Sequence, residues 1–208
     1  DVCAMTKPMQ RTPRAPFGDM QVGAPPDRLA VDILGPLIRT PRGNRYVLVV
    51  TDHFTKWVEV FPIPDQTAET CAQVILNEVV ARYGCPMSIH SDQGRNFESD
   101  IFTELCRMLE IKKTRTTARN PKCNGKAERF NRTLLRMIKA YLKGEENGWD
   151  LNLGCLAAAY RATPSESTGL SPNLLMLGRE VRLPAELMFY TNPKYHGDEV
   201  TSYGEYVD

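Results

Sequence analysis

Three acidic residues stand out by their setting. Asp32 lies in the middle of the apolar run Leu29-Ala30-Val31-Asp32-Ile33-Leu34, where a charge is costly to bury unless it is paired or bound to a cation. Asp92 follows a second apolar run, in Ser91-Asp92-Gln93-Gly94, and Glu128 opens a segment of helical periodicity. Taken singly, each has an ordinary explanation: an edge or ion-paired Asp, a turn Asp beside Gly, and a Glu suited to a helix N-terminus. Thirty-five residues separate Asp92 from Glu128, and that spacing alone also arises by chance in a chain with 25 acids. Together, however, three converging carboxylates would repel one another without a cation. Hard divalent ions such as Mg²⁺ take a few carboxylates plus water and phosphate oxygens. Two such ions suit in-line phosphoryl displacement.

The elements needed to bring these acids together can be read from the sequence. Leu29–Leu34, Tyr46–Thr51 and Trp57–Phe61 read as three strands, joined by turns short enough for an antiparallel meander. A helix capped by Thr67 follows, with Ala68, Cys71, Ala72, Ile75, Leu76, Val79 and Tyr83 inward and Gly84 at its end. Met87–Ser91 is a fourth strand, parallel through a crossover. Residues 99–110 form a helix with Ile101, Phe102, Leu105 and Leu109 inward, and Ile111–Thr116 is an edge strand. The loop Arg119–Gly125 leads to a long helix with Ala127, Phe130, Leu134, Ile138 and Tyr141 on its buried stripe. A further helix begins near Trp149, and Ser171-Pro172 starts a last short one that ends at Gly178. If strands one and four are neighbours, Asp32 and Asp92 share one edge, and the start of the long helix brings Glu128 beside them.

Composition is that of an ordinary globular chain, with 42% hydrophobic and 25% charged residues and a net charge of +1. Charge distribution says more than the sum. Residues 107–139 carry eleven Lys and Arg against Glu110 and Glu128, a local footprint suited to phosphate. No apolar run is long enough to span a bilayer, and no apolar leader opens the chain. The first residue is Asp rather than Met, as expected of a processed product or an excised piece. Six cysteines without a CxxC pair, mostly in apolar runs, read as reduced and mostly buried thiols. The three histidines have no zinc-ligand spacing.

Four motifs in order carry a family resemblance. They are Val31-Asp32-Ile33-Leu34-Gly35-Pro36, Val50-Thr51-Asp52-His53-Phe54-Thr55-Lys56, His90-Ser91-Asp92-Gln93-Gly94-Arg95-Asn96-Phe97, and Asn120-Pro121 with Asn124-Gly125-Lys126-Ala127-Glu128-Arg129-Phe130-Asn131. Over about residues 25–187 the chain resembles the catalytic cores of retroviral and Gypsy-type LTR-retrotransposon integrases. Thr168-Gly169-Leu170-Ser171-Pro172 and Leu177-Gly178-Arg179 strengthen the Gypsy-type likeness.

The resemblance implies a ribonuclease H-like α/β fold, a five-stranded mixed sheet flanked by helices. It implies a polynucleotidyl transferase that trims the 3′ ends of element DNA with water and then joins them to target DNA. The metal-binding, catalytic positions fall on Asp32, Asp92 and Glu128, with two Mg²⁺ or Mn²⁺ ions, while Asp52 is structural. Arg95, Lys122, Asn124, Lys126, Asn131 and Arg132 are the expected DNA contacts. Residues 1–26 read as a linker or arm after a truncated zinc-binding domain whose only remaining ligand would be Cys3. Residues 27–187 form the core, and 188–208 an irregular C-terminal linker. Implied partners are element-end and target DNA and further copies of the chain, as dimer or tetramer, with no membrane. The implied place of action is the nucleus, with a cytoplasmic particle stage. A domesticated remnant that binds DNA or protein without catalysis is the main alternative, and the intact acidic set argues against it. A ribonuclease H or a cut-and-paste transposase is a third reading, disfavoured by the segment Asn124–Asn131.

Overall fold

A computed structural model describes residues 24–115, 133, 134, 136, 137 and 148–182. Five strands form one sheet in the order β3-β2-β1-β4-β5. They are β1 (Arg28–Leu34), β2 (Tyr46–Asp52), β3 (Val58–Ile63), β4 (Ser88–Ser91) and β5 (Lys112–Arg115). β1, β2 and β3 pair antiparallel, as their short connections require, whereas β4 joins β1 and β5 joins β4 in parallel after helical crossovers. This is the ribonuclease H-like, mixed α/β architecture that the motifs imply. The charged β5 occupies an edge, where Lys112, Lys113 and Arg115 can reach water.

The first helical segment, α1, runs as α-helix over Ala68–Val74, as π-helix over Ile75–Val80 and again as α-helix over Ala81–Tyr83. Thr67 caps it, accepting from the Thr70 N–H at 3.3 Å, and Gly84 ends it at φ +84°. The wider π turn corrects the expected stripe. Ile75 and Val79 face the core, but Leu76 turns out and is exposed. The next helix, α2 (Asp100–Met108), buries Phe102 and Cys106, whereas Ile101, expected inward, faces solvent. One hydrophobic core lies between α1, α2 and the sheet face of Leu29, Val31, Leu48, Val50 and Ile89.

The opposite face carries Val47, Val49, Val58 and Val60. These pack on Leu134, Trp149 and on α3 (Leu153–Arg161) through Leu153 and Ala157. Val47 to Val50 are all buried because their side chains alternate into both cores, each contributing about 2 kcal/mol of hydrophobic burial. A 3₁₀ turn, Trp149–Leu151, precedes α3, and α4 (Pro172–Leu177) ends the described chain's helices, capped by Ser171 and stopped by Gly178 at φ +70°. No helix among the described residues is long and apolar enough to cross a membrane.

Two further expectations need correction. Cys71 and Cys106 are buried free thiols, but Cys85 and Cys155 are exposed, because they sit at a helix–strand connection and on the outer side of α3. Trp149 begins a 3₁₀ turn rather than the α-helix itself.

Candidate active site

β1 and β4 are neighbours, and their register is Arg28 with Ser88, Leu29 with Ile89 and Ala30 with His90. Asp32 and Asp92 each follow the last residue of this pairing, Ala30 and His90 respectively, by two positions. Both line one cleft of about 570 Å³, together with Ile33, Gln66, Thr67, Ala68, Gly94, Arg95, Asn96, Phe97 and Ser99. The cleft therefore sits at the C-terminal ends of two parallel strands, beside the start of α1. In open α/β sheets ligands bind in the crevice outside the carboxyl ends of the strands.

Local bonds hold each carboxylate. Asp32 Oδ1 accepts the Ile33 N–H at 2.8 Å. Asp92 Oδ1 accepts the Gly94 N–H at 2.9 Å, a turn closed by its own side chain. Gly94 has no room for a side chain, since a Cβ would come within 2.6 Å of Asn96 Oδ1 and 2.9 Å of Asp92 Oδ1. Beyond it, Phe97 is driven into the core against Phe102, ring centroids 5.3 Å apart and edge to face. Ser99 donates to the Asn96 carbonyl at 2.9 Å and caps α2. Glu98 pairs with Lys113 at 3.0 Å and Arg115 at 3.2 Å. The hydrogen bond from Lys113 holds its carboxyl below the usual range.

Two further contacts brace the site. Burial pushes the Cys71 thiol up to about 11, and its hydrogen bond with Asn96 links α1 to the Asp92 loop. At the head of α1, Asp65 Oδ1 accepts from the Thr67 N–H and from the Thr67 and Thr70 hydroxyls, which hold its carboxyl below the usual range. Next to Asp92, His90 is buried with Nδ1 3.0 Å from Thr114 Oγ1. Burial, then the charge of Arg28, pushes its pKa down.

Of the expected site residues, Asp32, Asp92 and Arg95 are brought together at this cleft, with Arg95 exposed at its rim. Glu128, Lys122, Asn124, Lys126, Asn131 and Arg132 lie outside the described residues. Among the described residues no group of three or more His, Cys, Asp or Glu forms a metal cluster. Asp52, expected to be structural, is 2% exposed and accepts from the Thr55 N–H at 2.7 Å and its hydroxyl at 2.6 Å, closing the turn after β2. Sequence reasoning did not single out Gln66, Asn96 or Ser99 as lining the cleft. Asn96 lies inside the third motif, and its Oδ1 stands within 2.6 Å of where a Cβ on residue 94 would go.

Residues 23–121 match the family model described as integrase core domain. Over that stretch, just under half of its length, the chain is similar to the integrase core family. It is 30% identical over 86% of its length to the retrovirus-related Pol polyprotein from transposon 412 of Drosophila melanogaster, of which it covers 15%. The Gag-Pol polyprotein of walleye dermal sarcoma virus is 30% identical over 82% of the chain, which spans 9% of that protein. Gypsy retrotransposon integrase-like protein 1 of Homo sapiens is 27% identical over 91% of the chain, which spans 35% of it. The chain thus spans a minor part of these curated relatives. Among solved structures, the catalytic core domain of BIV integrase superposes with a TM-score of 0.59 at 24% identity, over 79% of this chain and 99% of that one. The HTLV-2 integrase core, solved in complex with magnesium in a trimeric form, gives 0.60 at 19% identity, over 74% and 97%. These two likenesses concern the fold.

Proposed function

We propose that this integrase core is a polynucleotidyl transferase that performs 3′-end processing and strand transfer of element DNA, with Asp32, Asp92 and Glu128 as its metal-binding carboxylates. The observation that carries the reading is the meeting of Asp32 and Asp92 on one cleft at the ends of β1 and β4. Their oxygens are the hard donors that Mg²⁺ or Mn²⁺ prefers, and no lysine or arginine among the described residues forms an ion pair with Asp92. The donor set fits a divalent cation. Bound there, two such ions would stabilise charge on the attacking and leaving oxygens of an in-line displacement.

The chain's own part is to hold and orient. Asp92 is held by the Gly94 N–H in a loop anchored by the ring of Phe97, and Asp32 by the Ile33 N–H and the pairing of β1. In the first step, water forms a bond to phosphorus and the bond to the 3′ oxygen breaks. In the second, the exposed 3′ hydroxyl forms the new phosphodiester and a target 3′ oxygen leaves. Neither step needs a covalent enzyme intermediate or ATP. Arg95, at the rim, contributes phosphate binding, as do Lys122, Asn124, Lys126, Asn131 and Arg132. Residues 1–26 and 188–208 act as linkers flanking the core, copies of the chain assemble on DNA, and the reaction takes place in the nucleus.

The test is a disintegration assay on branched DNA with the whole chain. Strand rejoining in Mn²⁺ or Mg²⁺, abolished by chelation, supports the reading. Duplex binding with no rejoining in either ion would favour the non-catalytic remnant instead.

A further inference from the structure

The connection between β1 and β2 leaves from the cleft end of the sheet, because β1 runs towards Asp32 and β2 returns from Tyr46. It carries Arg39, Arg42 and Arg45 at intervals of three, and no acid lies between Asp32 and Asp52. This loop is built to a fixed shape. Thr40 N–H bonds the Asn44 carbonyl at 3.0 Å, Gly43 N–H the Thr40 carbonyl at 2.8 Å, and Arg45 N–H the Ile63 carbonyl at 3.0 Å. Asp150 reaches in from a distant part of the chain and binds Thr40, Arg42 and Asn44 together. Arg42 is thereby spent on structure.

Arg39 and Arg45 are different. Both are exposed, and neither forms an ion pair among the described residues. The Arg39 guanidinium lies over the loop tip, its Nη2 3.8 Å from where a Gly43 Cβ would stand. Four other arginines are neutralised, Arg82 by Glu78, Arg107 by Glu104, Arg115 by Glu98 and Arg161 by Glu59. At the cleft end Arg95 is likewise exposed without an ion pair. Unneutralised guanidinium groups on an ordered loop, at the same end as a carboxylate cleft, form a surface for a polyanion rather than a solvated ornament. Guanidinium matches phosphate geometry, and a loop already ordered has little conformational entropy left to lose on binding.

We propose that the β1–β2 loop is a second DNA-contacting surface, in which Arg39 and Arg45 hold backbone phosphates of the duplex whose reacting strand enters the cleft. The inference rests on the DNA-joining reading above and extends its track to the far side of β1. It assigns Arg42 and Asp150 to shaping the loop and Arg39 and Arg45 to touching DNA.

The experiment measures affinity of the whole chain for several unrelated duplexes across a salt series. The double variant Arg39→Gln/Arg45→Gln should lower the slope of log affinity against log salt by roughly two units, equally for every sequence. Arg39→Lys/Arg45→Lys should keep most of the slope, and Arg82→Ala/Arg107→Ala should leave it unchanged. If the double variant does not fold, Arg39→Gln alone carries the same reading with a loss of about one unit. Branched DNA shortened on one arm at a time then distinguishes element from target DNA: the arm whose shortening erases the difference between wild type and variant is the one the loop holds. An unchanged slope in a folded variant, while the wild type binds and rejoins DNA, overturns the proposal and leaves the catalytic reading standing. A lowered slope in a chain that rejoins nothing supports the surface and counts against catalysis. A wild-type chain that binds no duplex overturns both.

Discussion

Asp150 and the pair Asp32 and Asp92 are carboxylates in opposite situations. Asp150 has no exposed side-chain surface and accepts four hydrogen bonds, from Thr40 Oγ1 at 2.9 Å, Arg42 Nε at 3.0 Å, Arg42 Nη2 at 2.7 Å and Asn44 Nδ2 at 2.7 Å. Burial pushes its carboxyl up, but the bonds from Arg42, Asn44 and Thr40, with the charge of Arg42, outweigh burial and hold its pKa at about 2. Asp32 and Asp92 are half-buried, each anchored by a neighbouring main-chain N–H, and they open on a cleft. A carboxylate saturated by protein donors stabilises a fold. A pair held in place yet turned to a cavity can serve a ligand from outside, and costs stability rather than adding to it.

The contrast can be broken on the stability axis first. Asp150→Ala should lower unfolding free energy by about 3 kcal/mol in urea titration, since the Thr40 and Asn44 donors and the Arg42 charge lose their acceptor together. An effect under about 0.5 kcal/mol would demote the cluster to surface decoration.

Acid should act through the same group. The folded pKa of Asp150 lies below its ordinary 3.8, so its contribution is fully present above that pH and is lost as pH falls towards about 2. Wild type should lose about 2 kcal/mol more than Asp150→Asn over that window. Parallel acid titrations of the two would contradict this.

Gly94→Ala sharpens the other side. Its Cβ would displace Asn96 and the Asp92 carboxylate, costing about 1 kcal/mol of stability but a larger share of any joining activity. Activity equal to wild type would show that the position of Asp92 is not critical. Smallest of all should be the stability changes of Asp32→Asn and Asp92→Asn, within about 0.5 kcal/mol by thermal melting, because an amide oxygen can still accept the Ile33 and Gly94 N–H. A drop as large as that of Asp150→Ala would place these residues among the structural acids.

What could be read in advance follows from where the information lies along the chain. Tyr46–Val50 announced β2 because β-branched and apolar residues in a short run suit little else. Asp32 was conspicuous because a charge inside such a run is anomalous, and Thr67, Ser171 and Gly178 marked helix ends by local bonding. Asp150 was invisible, since its partners lie 106 to 110 residues away. Glu59 was hidden in the same way, since besides its neighbour Trp57 it gathers Tyr83 from α1 and Arg161 from α3. Leu76 and Ile101 went astray because periodicity assumes ideal α turns and a full-width buried face, whereas α1 contains a π stretch and α2 shows the sheet only a narrow one. Glu128 and the basic residues around it lie outside the described residues, so their part of the site rests on the motif.

The most direct test compares single-turnover rejoining of branched DNA in Mn²⁺ by wild type, Asp92→Asn and Asp150→Asn, each rate divided by the fraction folded. Asp92→Asn should be folded and slower by at least about a hundredfold, roughly 2.7 kcal/mol of barrier, while Asp150→Asn should be less stable yet close to wild type per folded molecule. Equal rates for wild type and Asp92→Asn would contradict the assignment of the cleft as the place where DNA is joined.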